Sequence, residues 1–208
     1  TIYKPLFVCV QETWSIPTEP NGLYAIEGYV LERLDAQTVW EVVFVSIYDT
    51  IHNYQRLPNF ESDDAEAIWL KLFPKAGSPL LVCTAYRPPS SLLQPFAYAL
   101  EHALDRAKRM GCNIILTGDL NARCADWFDG DQTDDAGEEL QQLFQLHGLS
   151  QVVSFPTNIY DGTLRSCIDL VVTDIIDTAT QSLPPVGQSD HLVIKCTLPR
   201  YARKDSVR

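Results

Sequence analysis

The stretch Ile114-Ile115-Leu116-Thr117-Gly118-Asp119-Leu120-Asn121-Ala122-Arg123 constrains the fold of this chain more than any other. Its first half is a short apolar run rich in β-branched residues, the pattern of a buried strand. Gly118 permits a sharp turn of the backbone at the strand's end. If the extended path continues past it, period-two geometry puts Asp119 and Asn121 on the same side. A carboxylate beside a carboxamide can hold a water or metal together with a phosphate oxygen. The same pair also closes strands as an ordinary Asx turn. Both readings stand on this stretch alone.

At 208 residues, with 46% hydrophobic and 21% charged residues, the chain has the makings of one large domain with a real core. No apolar run has the length of a membrane helix, and no signal peptide is visible. The six cysteines, at 9, 83, 112, 124, 167 and 196, show no CxxC spacing, and several lie in apolar segments. Free thiols in a reducing, intracellular compartment (nuclear or cytoplasmic) are expected. A net charge of −11 argues against indiscriminate nucleic-acid binding but leaves room for a local basic groove.

Residues 5–10 form a buried-strand run, followed directly by Gln11-Glu12-Thr13-Trp14, so Glu12 stands at a strand end. Alternation over residues 43–48 predicts a hairpin within 28–49, and residues 53–64 read as a polar loop. Strands are expected at 67–73 and 80–86, the second broken by Arg87-Pro88-Pro89. Helical spacing of apolar residues runs over 92–110, with Gly111 as its stop. The aspartates at 126, 129, 131, 134 and 135 form an acidic loop that lacks the pattern of a calcium-binding loop. Asp134 or Asp135 then caps a helix reaching His147. Strands follow at 150–155 and 167–173, then a polar loop with Pro184-Pro185, then a last strand at 192–198. Asp169 lies inside an apolar run, where a carboxylate needs a partner. Residues 200–208 read as a basic tail, leaving 1–199 as the domain. Many strands, a few helices and polar strand ends point to an α/β or α+β sandwich.

Glu12, Tyr86-Arg87, Asp119/Asn121, Asp169 and Asp190-His191 all fall at strand ends. Each has a bland explanation, and the joint pattern is far less expected by chance. The set Gln11-Glu12-Thr13, Gly118-Asp119-Leu120-Asn121, Ile168-Asp169-Leu170 and Ser189-Asp190-His191 closely resembles the endonuclease/exonuclease/phosphatase family of deoxyribonuclease I-like phosphodiesterases. Tyr86-Arg87-Pro88-Pro89-Ser90 and Phe155-Pro156-Thr157 resemble most the endonuclease domains of non-LTR retrotransposons. The resemblance implies two packed, mostly antiparallel β-sheets flanked by helices. It implies Glu12 as the principal ligand of Mg²⁺ (Mn²⁺ as a substitute), assisted by Asp190. Asp119 would orient or deprotonate the attacking water, and Asn121 would hold a phosphate oxygen. His191, oriented by Asp169, would face the phosphate, and Tyr86 would donate to it. Arg87, Arg123 and Arg165 are candidate DNA-phosphate contacts, with Thr157 and Ser189 as weaker candidates on the substrate side or just behind the residues that touch it. Double-stranded DNA is the implied partner, with a reverse transcriptase following in the same polypeptide and no membrane association.

The chain departs from the family in two places. The family opens on a strand bearing a catalytic Asn, followed by a helix; the sequence here begins on the Glu strand, so the neighbouring strands should carry an open edge. After Arg33-Leu34-Asp35 the retrotransposon domains carry a glycine cluster, where this chain has Val39-Trp40-Glu41. Two other readings remain: a phosphatase or phosphodiesterase of the same fold acting on lipid or inositol phosphates, and an inactive relic that at most binds.

Overall fold

The computed structural model describes residues 4–13, 17–34, 43–48, 53–74, 77–199 and 201. The Val39-Trp40-Glu41 departure and most of the 200–208 tail lie outside these residues.

The strands are β1 (Phe7–Val10), β2 (Tyr29–Leu34), β3 (Val43–Tyr48), β4 (Tyr54–Arg56), β5 (Glu66–Leu72) and β6 (Leu80–Tyr86). After helix α1 (Leu93–Arg109) come β7 (Asn113–Asp119), helix α2 (Asp135–Leu146) and β8 (Ser150–Gln151). The chain then forms β9 (Ile159–Tyr160), β10 (Thr163–Leu164), β11 (Asp169–Thr173), β12 (Ala179–Leu183) and β13 (Val193–Thr197). One six-stranded sheet has the order β4-β5-β6-β7-β11-β8. A three-stranded sheet, β1-β3-β2, packs on it through β3, and the β12-β13 ribbon completes the set with the small β9-β10 hairpin. This is the expected mixed α/β sandwich.

Every residue of β6 is buried, because both of its faces are covered. Thr84 and Cys9 meet on the side of the second sheet, while α1 contributes Phe96, Ala97, Leu100, Ala103, Leu104 and Ala107 to the core. That set is the apolar stripe expected from 3.6-residue spacing. Gly111, at φ +61, ends the helix. Asp134 caps α2, its carboxylate accepting the Gly137 N–H at 2.7 Å.

The polar stretch 53–64, read as a loop, holds edge strand β4 and a 3-10 turn over Pro58–Phe60. Its polarity belongs to an edge, where Arg56 bonds Glu61 and Glu32 while Leu57 and Phe60 anchor it inside. Half of the polar loop before Pro184 is likewise a strand, β12. Conversely, the run 150–155 stays in the sheet only through Gln151 and a last bond from the Val152 N–H to the Val171 carbonyl at 2.9 Å. Tyr201, assigned to the tail, is buried, with its hydroxyl 3.1 Å from the Ser78 carbonyl. Among the described residues β1 pairs only with β3 and β13 only with β12, so each presents an open edge.

Candidate active site

The site is assembled by register. Tyr86 lies opposite Asp119, Asp119 opposite Asp169, and Tyr86 opposite Glu66. Residues directly opposite on neighbouring strands share a face. Glu66, Tyr86, Asp119 and Asp169 therefore form a transverse row across four strands. Glu66 was not legible from the sequence, since pairing register is not written in any local motif.

Gly118 makes the approach of β7 to β6 possible. A Cβ on it would lie 1.7 Å from the Ala85 carbonyl oxygen, and its φ is +152. Immediately beyond, Asp119 Oδ1 accepts the Asn121 N–H at 3.0 Å, an Asx turn. Asn121, at φ +45, is in the left-handed region that asparagine tolerates. Its side-chain amide donates to the Arg87 carbonyl at 3.0 Å and to Asp119 Oδ2 at 3.3 Å. The amide thus fixes the carboxylate first. Reaching a phosphate oxygen requires release of its longer bond. The Asx-turn reading and the catalytic reading are the same geometry.

Arg87 departs from expectation. It is buried, and its Nε and Nη2 donate to the Leu120 and Asn121 carbonyls at 2.7 and 2.5 Å. Its own N–H bonds the Asp119 carbonyl at 2.9 Å. The residue braces the Asp119–Asn121 turn from beneath, with Nε and Nη2 taken up by backbone and not offered to a DNA phosphate. Thr157 stands behind the surface of the site and not on its substrate side. It is fully buried, and its hydroxyl accepts the Ile168 and Asp169 N–H groups at 3.2 and 3.1 Å.

His191 follows a turn in which Ser189 Oγ accepts its N–H at 3.1 Å. Its Nδ1 stands 2.8 Å from Asp169 Oδ2, which is largely shielded from solvent, as the apolar setting of Asp169 demanded. The exposed Asp190 carboxylate is 4.0 Å from Nε2. The hydrogen bond to Asp169 outweighs partial burial and pushes the His191 imidazole up to about 9. Asp119 moves the other way in chemical terms. Burial first, then the negative charge of Asp169, raise its carboxyl to about 7, against the pull of His191. Glu12 adds to that rise, so its charge lies within reach of Asp119. Glu12 itself is exposed, at φ +52, beyond Gln11, whose amide donates to Thr84 Oγ1 at 2.7 Å.

Ligand-capable atoms of Asp119, Asp169 and His191 all lie within 4.8 Å of one another, a candidate cation site. Arg123 is half exposed, bonded to Ser166 Oγ at 3.1 Å and 3.5 Å from Asp134 Oδ2. Arg165 is exposed after β10. A cleft of about 540 Å³ between Arg123, Asn121, Pro89 and Leu93 extends from the site.

This architecture is that of the deoxyribonuclease I-like endonuclease/exonuclease/phosphatase proteins, a fold of hydrolytic nucleases and phosphatases. A family model described as endonuclease-reverse transcriptase matches residues 80–195, more than half of the chain, and the chain belongs to that family. No curated protein matches it. Among solved structures it is similar to the endonuclease domain of TRAS1, a telomere-specific non-LTR retrotransposon. That match has 16% identity, covers 95% of this chain and 87% of that one, and has a TM-score of 0.74. The 3'-5' exonuclease NExo from Neisseria meningitidis aligns at 17% identity over 93% and 89% of the two chains, TM-score 0.69. An AP endonuclease from Archaeoglobus fulgidus aligns at 17% identity over 94% and 89%, TM-score 0.65. The fold, including its deoxyribonuclease I-like character, is therefore as the sequence motifs implied. Among the described residues no helix is long and apolar enough to cross a membrane.

Proposed function

We propose that the chain hydrolyses phosphodiesters in a divalent-metal-dependent reaction and nicks double-stranded DNA, as the endonuclease part of a retroelement protein with a reverse transcriptase downstream. The observation that carries this is geometric: Asp119 and Asp169 lie directly opposite on β7 and β11, His191 Nδ1 stands 2.8 Å from Asp169 Oδ2, and ligand-capable atoms of all three lie within 4.8 Å of one another. Burial and the charge of Asp169 raise Asp119 to about 7 and the bond to Asp169 raises His191 to about 9, which favours a carboxylate base beside an imidazolium at pH 8, complementary states for hydrolysis at phosphorus. Asp119 takes the proton of the attacking water. His191 presents Nε2–H to the developing negative charge while Nδ1–H stays on Asp169. The water oxygen bonds to phosphorus as the P–O bond to the departing sugar oxygen breaks, and that oxygen takes up a proton from solvent. The Asn121 backbone N–H keeps the Asp119 rotamer through Oδ1, while its side-chain amide releases Oδ2 and turns to a non-bridging oxygen. Tyr86, next to Asp119 in the row, donates to the phosphate.

The residues also fit a hard cation. The charges of Asp169 and Glu12 both raise Asp119, so carboxylates crowd the site with His191 as their balancing charge, and hard divalent ions prefer oxygen donors. Glu12 and Asp190 would hold Mg²⁺, or Mn²⁺ in its place, beside that cluster. When bound, the ion supplies positive charge at the phosphoryl oxygens. Arg123 and Arg165 supply DNA-phosphate contacts, and Ser189 shapes the turn that delivers His191.

A supercoiled plasmid should be nicked with Mg²⁺ and spared with EDTA, and Glu12→Ala, Asp119→Ala and His191→Ala should each abolish nicking. Full activity in Asp119→Ala would sink the mechanism. A second reading has its own support, since a structural neighbour is a 3' phosphatase bound to a product DNA hairpin. Phosphate release from 3'-phosphorylated DNA, with the plasmid left intact, would select that reading.

A further inference from the structure

β8 leaves the sheet after Gln151, its last link being the Val152 N–H to the Val171 carbonyl. From there towards the site, the flank of β11 has no neighbouring strand among the described residues. Four consecutive backbone donors on the approach to the Asp169–His191 pair are nonetheless satisfied, each by a side-chain oxygen. The Ser166 N–H goes to Asn158 Oδ1 at 2.9 Å, and the Cys167 N–H to Asp131 Oδ2 at 2.9 Å. The Ile168 and Asp169 N–H groups share Thr157 Oγ1 at 3.2 and 3.1 Å. Backbone donors with no partner in a buried setting are rare, so a missing strand has to be replaced by something.

Thr157 also acts from the other direction. Its carbonyl accepts the Leu192 N–H at 2.7 Å, and its N–H donates to the Ser166 carbonyl at 2.8 Å. The next residues form a bridge, Asn158 to His191, and the Ile159 N–H bonds the Asp190 carbonyl at 2.6 Å. One fully buried residue therefore touches the backbone of Asp169 through its hydroxyl and the backbone beside His191 through its carbonyl. A β-branched side chain suits this, because its χ1 is restricted and the hydroxyl direction is fixed.

We infer that Thr157 is a positioning residue that sets the distance between Asp169 and His191 by replacing the absent strand with its own hydroxyl, with Asn158 and Asp131 completing the cradle. This rests on the proposed hydrolase reading, yet it is separable from it. Asp131 comes from the acidic loop and ties that loop to the chain two residues ahead of β11.

The test compares Thr157→Ser, which keeps the hydroxyl, with Thr157→Val, which keeps the shape and removes it. Plasmid nicking is measured as kcat and KM, thermal unfolding is recorded alongside, and the His191 Nδ1–H proton is followed by NMR. Thr157→Ser should stay within about threefold of the parent. Thr157→Val should lose on the order of 10²-fold in kcat, the scale of a sub-ångström-to-ångström misplacement, with KM nearly unchanged and the Nδ1–H signal shifted or lost. If Thr157→Val does not fold, Thr157→Ala takes its place with the same expectation. A folded hydroxyl-less variant with parental kcat and an unmoved signal overturns the inference, as does equal damage in the Ser and Val variants. Should the parent chain cleave nothing, the hydrolase reading falls. The NMR arm then decides the positioning role by itself.

Discussion

The substitution Asp119→Asn should make the protein more stable and nearly inactive. Asp119 is 4% exposed, and its carboxyl is raised from 3.8 to about 7 by burial and by the charge of Asp169. A group whose folded value is raised contributes stability that is present below its unfolded value, near 3.8, and lost as pH rises through about 7. At roughly 1.4 kcal/mol per tenfold change in proton affinity, ionised Asp119 destabilises the fold by about 4 kcal/mol at pH 8.5 and about 1 kcal/mol at pH 4.5. Asparagine removes the charge and keeps Oδ1 as acceptor for the Asn121 N–H. Its amide, however, faces the Asn121 amide where Oδ2 had accepted, a donor–donor contact costing about 1–2 kcal/mol. The net gain at pH 8.5 is about 2–3 kcal/mol, or roughly 5–10 °C in Tm for a chain of this size. Unfolding is followed by circular dichroism in EDTA, because a bound cation offsets the repulsion. Nicking in Mg²⁺ should fall by about 10²–10⁴ with loss of the base. A Tm at or below the parent's at pH 8.5, or an offset that is the same at pH 4.5, would refute the claim that Asp119 is held under electrostatic stress.

The remaining predictions concern pH and the surface of the site. kcat/KM for nicking should rise with pH as Asp119 ionises, at a midpoint below its metal-free value of about 7 because bound Mg²⁺ favours the carboxylate, and fall at alkaline pH as His191 loses its proton. Asp169→Asn should bring the upper limb down towards the ordinary histidine range, because its hydrogen bond is the main cause of the rise. Arg87→Ala should cost about 3 kcal/mol or more in urea unfolding, since buried carbonyls of Leu120 and Asn121 lose their donors. Arg165→Ala, at an exposed position, should leave unfolding unchanged and weaken DNA binding with a shallower salt dependence in a filter or fluorescence assay. Tyr160 is 71% exposed on the β9-β10 hairpin, whose turn Asp161-Gly162 has φ of +51 and +70. Tyr160→Ala should alter the distribution of nicks mapped by primer extension, with Tm unaffected.

What the sequence made legible, and what it did not, divides along a physical line. Asp119, Asn121, Asp169 and His191 stand out in the sequence because polar residues recur jointly at strand ends in motifs that resemble one family, and because a buried carboxylate needs a partner. The partner of Asp169 is where that reasoning required it, 2.8 Å away. For Arg87 and Thr157 the sequence is silent, because an arginine or threonine near such a motif carries the same letters whether its polar atoms face a ligand or its own backbone. Burial decides between the two, and burial depends on tertiary packing. Strands β4 and β12 look like loops in the sequence, since edge strands are polar on the side that solvent sees. The deeper omission is register. Nothing local places Glu66 in line with Tyr86 and Asp119, and nothing in residues 150–155 says that pairing stops at Gln151. Thr157 matters only because β8 stops there. Had the strand run on, Asp169 would be held by a ladder bond that any residue supplies, and the hydroxyl would have no task. The chemistry of the site can be read from single residues, but the parts that hold it at working distance follow from where strands end.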